Sequence, residues 1–298
     1  MEILMARSRT VTFGAVNVVL PPPHEPTRYV DLFRAAYSNR GKAKLLGDWV
    51  GMIGALSQAS DPIHGDIVLG EIYKFVDLDV TQNWFNMAKG KVAGADDMAR
   101  LVIPDELKPH FNFLPFVFFP VGHRLVSLTS DGADSIPISL VAKTLRGTLG
   151  SAALRKEFGE VEVTVEPAME TLEQIFQMPN LKRLDINVTS PNPDDFSDFE
   201  KHFQENMEEQ NARKLLLSIL AEPGEALEPN DETKKLAKVA QANGSVTGTG
   251  GGRGKTRKLS TVAHPFEHKD SYRPDFDSRS DFVLAKASEI LDKIRNRR

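Results

Sequence analysis

Glu160-Val-Glu-Val-Thr-Val-Glu166 alternates polar residues with valines, the period-two pattern of a β-strand that buries one face. Downstream of it, segments with strand and helix periodicity follow in turn. Further strands are predicted at 181–189, 214–220 and 256–262, and helices at 169–177, 195–209, 231–242 and 278–295. Strands with a single apolar face, alternating with helices, favour sheets covered by helices on one face.

The residues before this strand indicate a second set of strands. Thr10–Leu20 is rich in β-branched residues, two further strands are predicted at 48–57 and 66–77, and a hairpin is predicted across 116–129. We therefore predict an α+β fold with mostly antiparallel or mixed sheets and helices packed on one face. Two domains are predicted, a helix-backed antiparallel sheet over 1–130 and an α+β domain over 131–298.

The composition limits the chemistry available to the chain. Of 298 residues, 41% are hydrophobic and 26% are charged, which is enough for a normal core. There are no cysteines, which excludes disulfides, iron–sulfur clusters, thiolate zinc sites and cysteine nucleophiles, and fits a reducing compartment. The most apolar run, Phe111–Val121, is about half as long as a membrane span. We therefore predict a cytoplasmic protein with no membrane insertion.

The net charge of −4 conceals an uneven distribution of charge. Residues 191–232 carry twelve acids and three bases, whereas residues 233–273 carry nine bases and two acids. The last six residues add four more bases. Bases concentrated in an otherwise acidic chain indicate a face that binds polyanions, although solvated helix faces and a basic tail are the alternative.

The basic region contains Gly248-Thr-Gly-Gly-Gly-Arg-Gly-Lys-Thr-Arg-Lys258. Glycines let a backbone approach phosphate closely, and arginine and lysine bind phosphate oxygens. We therefore predict a flexible glycine-rich loop over 244–258 that holds nucleic-acid phosphates, with a purely solvated loop as the alternative. The predicted phosphate ligands in this loop are Arg253, Lys255, Arg257 and Lys258.

Known nucleotide-binding motifs do not fit this loop. A P-loop requires a glycine five residues before Gly254, and Thr249 occupies that position. The loop also lacks the preceding buried strand and the following helix. The dinucleotide fingerprint fails as well, because its last glycine position is filled by Arg253 or Lys255. These departures argue against nucleotide hydrolysis and predict no cofactor.

Other cations extend the predicted nucleic-acid surface if the fold brings them close to the loop. Lys143 and Arg146 form a small basic cluster, and the C-terminal segment contributes Arg295, Arg297 and Arg298. Their charge suits the sequence-independent phosphate contacts that supply most non-specific binding to nucleic acid.

Candidate catalytic groups are weak throughout the sequence. His264 and His268 have the i, i+4 spacing of a helical metal site, but Pro265 argues against a helix there. Asp194, Asp195 and Asp198 suit a helix N-terminus better than a nuclease metal site. We therefore predict no metal site, and the catalytic residues of any enzymatic activity stay unknown.

Three segments carry a resemblance to known proteins. They are Phe113-Leu-Pro-Phe-Val-Phe-Phe119 before a hairpin, the strand from Glu160 to Pro167, and Leu184-Asp-Ile-Asn-Val188 before an acidic helix. The chain resembles poorly characterised proteins of prophages and bacterial phage-defence islands. In the order of its elements it also resembles the DNA-binding sensor of the lambda Rex exclusion system. The resemblance implies cytoplasmic phage defence, nucleic-acid binding and a homodimer.

Together these patterns predict a non-enzymatic nucleic-acid-binding protein of a phage-defence or prophage exclusion system, with DNA favoured over RNA. Two alternatives stay open. One is a nuclease-type effector enzyme. The other is a protein-interaction subunit whose partner is encoded in the same operon.

Overall fold

A computed structural model describes residues 8–189, 198–251 and 255–296 of the chain. It contains strands in a large sheet, a small sheet and a separate two-stranded ribbon. The strands are β1 (Arg9–Val19), β2 (Ala43–Lys44), β3 (Trp49–Asp61), β4 (Gly65–Val76), β5 (Phe85–Asn86), β6 (Lys91–Val92), β7 (Asn112–Phe119), β8 (Arg124–Asp131), β9 (Asp134–Ser135), β10 (Glu162–Val165), β11 (Arg183–Thr189), β12 (Lys214–Leu220), β13 (Gly244–Gly250), β14 (Arg257–Ser260) and β15 (His268–Tyr272). The helices are α1 (Pro26–Ser38), α2 (Ala95–Met98), α3 (Ile138–Leu149), α4 (Ala152–Phe158), α5 (Met169–Phe176), α6 (Asp198–Glu209), α7 (Asp231–Ala242) and α8 (Arg279–Arg295).

The large sheet has the strand order β10-β1-β8-β7-β4-β3-β2, and its pairings are antiparallel. One side of β1 pairs with β8. Its other side is shared by two short strands, since β15 pairs with Arg9–Phe13 and β10 pairs with Val16–Val19. The long central strands carry most of the apolar residues, so the main core lies on this sheet.

Helices cover both faces of the large sheet. A Cβ on Gly14 would lie 2.9 Å from Ile138 of α3, whereas the ring of the preceding Phe13 lies 6.1 Å from that of Phe282 in α8. Successive side chains of a strand point to opposite faces, so α3 and α8 lie on opposite sides. This accounts for the continuous burial of β1 and β8, which a sheet covered on one face would not require.

The small sheet has the order β12-β11-β13-β14 and is also antiparallel. Leu184, Ile186 and Val188 of β11 are buried with Val246 of β13 in a second core, to which α5, α6 and α7 contribute. The alternate residues face away from these helices. The predicted α+β class with antiparallel sheets is confirmed. Helices pack on one face of the small sheet, as predicted, and on both faces of the large sheet.

The division between the two sheets does not fall at the predicted boundary between residues 130 and 131. The small sheet and its helices occupy residues 169–260, between β10 and β15 of the large sheet. The large sheet therefore takes strands from both sides of the small one. Because β15, the last strand of the large sheet, pairs with β1, the first, a single cut in the sequence cannot separate the two sheets.

Asp131 ties the returning C-terminal segment to the large sheet. Its carboxylate is 2% exposed and lies 3.0 Å from Arg279 Nε, 3.4 Å from Arg9 Nη1 and 3.2 Å from the hydroxyl of Tyr272. Burial, together with the charge of Asp131, raises the pKa of Tyr272, which therefore stays a neutral donor. The cluster joins β1, β8, β15 and α8.

None of the described helices is long and apolar enough to cross a membrane.

Candidate nucleic-acid interface

The glycine-rich segment is mostly a strand, so the prediction of a loop over 244–258 is wrong. Gly244–Gly250 forms β13, which pairs with β11 on one side and with β14 on the other. Residues 251, 255 and 256 connect the two strands and belong to neither, and residues 252–254 lie outside the described residues. We call β13, β14 and this connection the basic hairpin.

The glycines of β13 serve close packing. A Cβ on Gly248 would lie 2.6 Å from Ile175 Cγ2 of α5, and one on Gly250 would lie 2.7 Å from the carbonyl oxygen of Asn180. A Cβ on Gly244 would overlap the backbone of Asn187. These positions face the helices together with Val246, while Ser245, Thr247 and Thr249 alternate with them on the other side. Glycine appears where helix and neighbouring strand lie too close for a side chain.

Three of the four predicted loop cations belong to the described part of the hairpin. Lys255, Arg257 and Lys258 are all exposed, and within the described residues none of them forms a hydrogen bond or an ion pair. Arg253 lies outside those residues. Lys258 lies two strands away from Asp185, and its charge helps to lower the pKa of that carboxylate. These three cations are therefore available to an external anion.

The basic hairpin is held at its base by backbone contacts. The amide of Gly251 donates to the carbonyl of Pro179 at 2.9 Å, and Asn180 Nδ2 donates to the carbonyl of Gly251 at 3.2 Å. The amide of Lys182 donates to Thr249 at 2.8 Å. β13 is held on both sides, because it pairs with β11 as well as with β14. Its pairing with β14 in turn fixes the backbone positions of Arg257 and Lys258.

One face of the small sheet points away from its helices, and we call it the open face. It is polar on β11, β13 and β14 and carries two leucines on β12. Cross-strand pairing places Arg183, Thr249 and Lys258 in one row across β11, β13 and β14. Asp185 lies in the next row and accepts hydrogen bonds from Arg183 Nε at 2.8 Å and Ser218 Oγ at 2.7 Å. Although partial burial acts to raise it, the pKa of Asp185 is lowered by these hydrogen bonds and by the charges of Arg183 and Lys258.

The open face carries no aromatic side chain on its described strands. Its outward positions are filled by hydroxyl, amide, charged and leucine side chains. A sheet that binds single strands by stacking needs aromatic rings at such positions. The chemistry present at the hairpin suits phosphate contacts, which position a nucleic acid without reading its bases.

Three of the other predicted cations donate hydrogen bonds to backbone carbonyls in or next to the large sheet. Lys143 Nζ donates to the carbonyl of Leu45, Arg146 Nε donates to Val163 at 2.8 Å, and Arg295 Nη2 donates to Val121 at 3.0 Å. Burial lowers the pKa of Arg146, partly offset by Glu162. Among the residues that can be placed, no hydrogen bond or ion pair joins these three to the basic hairpin. Arg297 and Arg298 lie outside the described residues.

Residues 9–289 match the model of a protein family described as a domain of unknown function (DUF4747). The chain belongs to this family. The match runs from the first strand of the large sheet into α8, so it includes the small sheet and the basic hairpin. No curated protein matches the chain.

A buried polar network links the two sheets and was not anticipated from the sequence. Arg124 of β8 forms an ion pair with Glu166 and donates to Asn17 Oδ1, while Asn17 Nδ2 donates to Asn243 Oδ1 at 3.2 Å. Asn243 ends α7 just before β13. The one sequence feature that could have indicated this network is Arg124, a charged residue directly before the apolar residues Leu125 and Val126. Buried charges of this kind require partners.

The candidate metal ligands do not converge. His264 follows a short 3-10 turn and His268 begins β15, so the two do not share a helix. His268 lies 3.9 Å from Asp270, and burial together with the charge of Lys293 lowers its pKa. In the part of the chain with described coordinates, no group of three His, Asp or Glu side chains could hold a metal ion. Asp194 and Asp195 lie outside that part, and Asp198 begins α6.

Proposed function

We propose that this protein binds nucleic acid without enzymatic activity, and that the basic hairpin holds the phosphate backbone. The observation that carries the proposal is that three cations of the basic hairpin are exposed and have no partner among the described residues: Lys255, Arg257 and Lys258. Each cation can contact phosphate without first giving up an internal partner. The cations Lys143, Arg146 and Arg295 lack this property, since each already donates to a backbone carbonyl.

DNA is favoured over RNA because the resemblance in element order is to a DNA-binding sensor. The hairpin contributes phosphate contacts, which DNA and RNA both offer. Arg257 can bind one phosphate with two parallel hydrogen bonds. Lys258, the next residue of β14, points to the opposite face and can bind a different phosphate as a point charge. The open face next to the hairpin offers hydroxyl groups for further phosphate contacts.

The biological setting of the proposal rests on the resemblance to proteins of prophages and phage-defence islands. DNA binding in the cytoplasm, as part of a phage-exclusion system, is the activity that this resemblance implies. The exposed cations of the hairpin support the proposal of phosphate binding. The proposed role in phage exclusion rests on the resemblance alone.

Binding of fluorescent duplex DNA and duplex RNA to the purified protein tests the proposal. We expect DNA binding at low salt, and a large loss of affinity in a variant with Lys255→Gln, Arg257→Gln and Lys258→Gln. The matched control neutralises three cations outside the small sheet that already have partners, Arg34, Lys42 and Lys89, which bond to Gln58, Asp77 and Asp97. This control changes the net charge equally and should bind nearly as the wild type. Equal loss in both variants, or no binding by the wild type, would overturn the proposal.

A further inference from the structure

Strand β12 forms an open edge of the small sheet. It pairs with β11 on one side, and no described strand pairs with its other side. Leu216 is 71% exposed and Leu220 is 66% exposed, both on the open face. An exposed edge strand with apolar side chains is a template for pairing with another chain, and soluble proteins normally cover or charge such an edge.

The backbone of β12 has free hydrogen-bonding groups on this edge. The amide of Ala221 donates to the carbonyl of Lys182, which directs Ala221 toward β11. Backbone groups alternate in direction along a strand, so those of Leu220, Ser218 and Leu216 point away from β11. Among the described residues, none of these groups has a hydrogen-bond partner outside the β11 ladder. As far as the described residues go, this edge is therefore open to pairing with a further strand.

The sequence of this edge is complementary to itself. When two copies of the segment 214–222, which is β12 and the two residues that follow it, are aligned antiparallel about Ser218, Lys214 lies opposite Glu222 of the other copy. The same register places Leu216 opposite Leu220 on the open face. Neither Lys214 nor Glu222 has an ion-pair partner within the described chain, and both are exposed. Opposite charges and apolar side chains facing across a pair of strands each stabilise the pairing.

We propose that β12 binds β12 of a second copy of this chain in that register, forming one continuous eight-stranded sheet. The two-fold axis passes between the two Ser218 residues, perpendicular to the sheet. Such an interface is isologous and closes on itself, so it yields a dimer and no longer polymer. It also removes the exposed edge and covers the two exposed leucines of each copy.

The dimer would place both open faces on the same side. The two outermost strands, each a β14, would be separated by seven strand spacings, or about 34 Å before twisting. Dimeric DNA-binding proteins commonly contact sites separated by one helical turn, about 34 Å. This last consequence rests on the proposed function, whereas the pairing of β12 does not.

A cysteine cross-link tests the register without nucleic acid. The chain has no cysteine, so Ser218→Cys introduces a single thiol, and the proposed axis brings two such thiols face to face. We expect rapid formation of a disulfide-linked dimer under mild oxidation. The control is Lys214→Cys, an exposed thiol on the same strand that would lie about 26 Å from its own copy in this register. Cross-linking of both variants at the same rate, or of neither, would overturn the proposal.

Charge reversal provides a second test on the intact surface. Glu222→Lys should raise the dimer dissociation constant about tenfold, because two cross-strand ion pairs become like-charged pairs. Adding Lys214→Glu to the same chain should restore wild-type association, measured by analytical ultracentrifugation. A wild type that stays monomeric at high concentration, or a double variant no better than the single one, would contradict the pairing.

Discussion

At the residue scale, the glycines of β13 show how one residue type supports two opposite interpretations. In the sequence, six glycines between positions 244 and 254 indicate flexibility. In the fold, Gly244, Gly248 and Gly250 lie against Asn187, Ile175 and Asn180 with no room for a side chain. The alternation of Ser245, Thr247 and Thr249 with glycine or valine was the strand signal that this composition concealed.

Gly248→Ala separates packing from flexibility. Its Cβ would meet Ile175 Cγ2 at 2.6 Å, so we expect the free energy of unfolding to fall by about 1–3 kcal/mol. Gly41→Ala is the control, because the nearest atom to an added Cβ there is Thr148 Cα at 4.0 Å, so it should change stability by less than about 0.5 kcal/mol. Urea denaturation followed by circular dichroism measures both. Equal, small effects would mean that β13 does not pack as described.

The buried ion pair of Arg124 and Glu166 provides a second test at the level of single residues. Glu166→Gln leaves the Arg124 guanidinium charged in a buried site, so we expect a loss of about 3–5 kcal/mol in unfolding free energy. Asp31→Asn removes an exposed ion pair with Arg34 and should cost less than about 1 kcal/mol. If thermal and urea denaturation place the two variants within error of each other, the pair is not buried as the structure has it.

At the element scale, periodic segments with one apolar face were predictable and polar edge strands were not. The strand predicted at 160–166 is β10, and the closing helix predicted at 278–295 is α8, whose first amides are capped by Ser278. Strand β15 escaped prediction because His268-Lys-Asp-Ser-Tyr272 has little apolar character. Its strand conformation comes from pairing with β1, which lies more than 250 residues away in sequence. Long-range pairing of this kind leaves no local pattern.

Asp131 should control the attachment of β15 and α8. Asp131→Asn removes the negative charge that holds Arg279 and Arg9, so we expect faster hydrogen exchange across His268–Tyr272 and α8. The loss of stability should be about 3 kcal/mol. Strand β11, which belongs to the other core, serves as the internal reference and should keep its exchange rate. Uniform acceleration across both sheets would show that the segment does not open separately.

At the scale of the whole molecule, the candidate site combines what the sequence predicts with what only the fold reveals. The presence of basic residues near 253–258 is a matter of composition and was predictable. Their lack of partners among the described residues was not predictable, because Lys143, Arg146 and Arg295 look equally available in the sequence yet donate to Leu45, Val163 and Val121. Each of these partners depends on the tertiary fold, since none lies within a helical turn of its cation.

The salt dependence of DNA binding tests the central claim most directly. Each phosphate that a protein neutralises adds about 0.9 to the magnitude of the slope of log K against log salt, so neutralising Lys255, Arg257 and Lys258 should reduce that magnitude by about 2.7 for each hairpin engaged. The control variant of Arg34, Lys42 and Lys89 should keep the wild-type slope. The measurement is a titration of duplex DNA by fluorescence anisotropy at several salt concentrations. A hairpin variant with an unchanged slope would mean that these three cations do not bind phosphate.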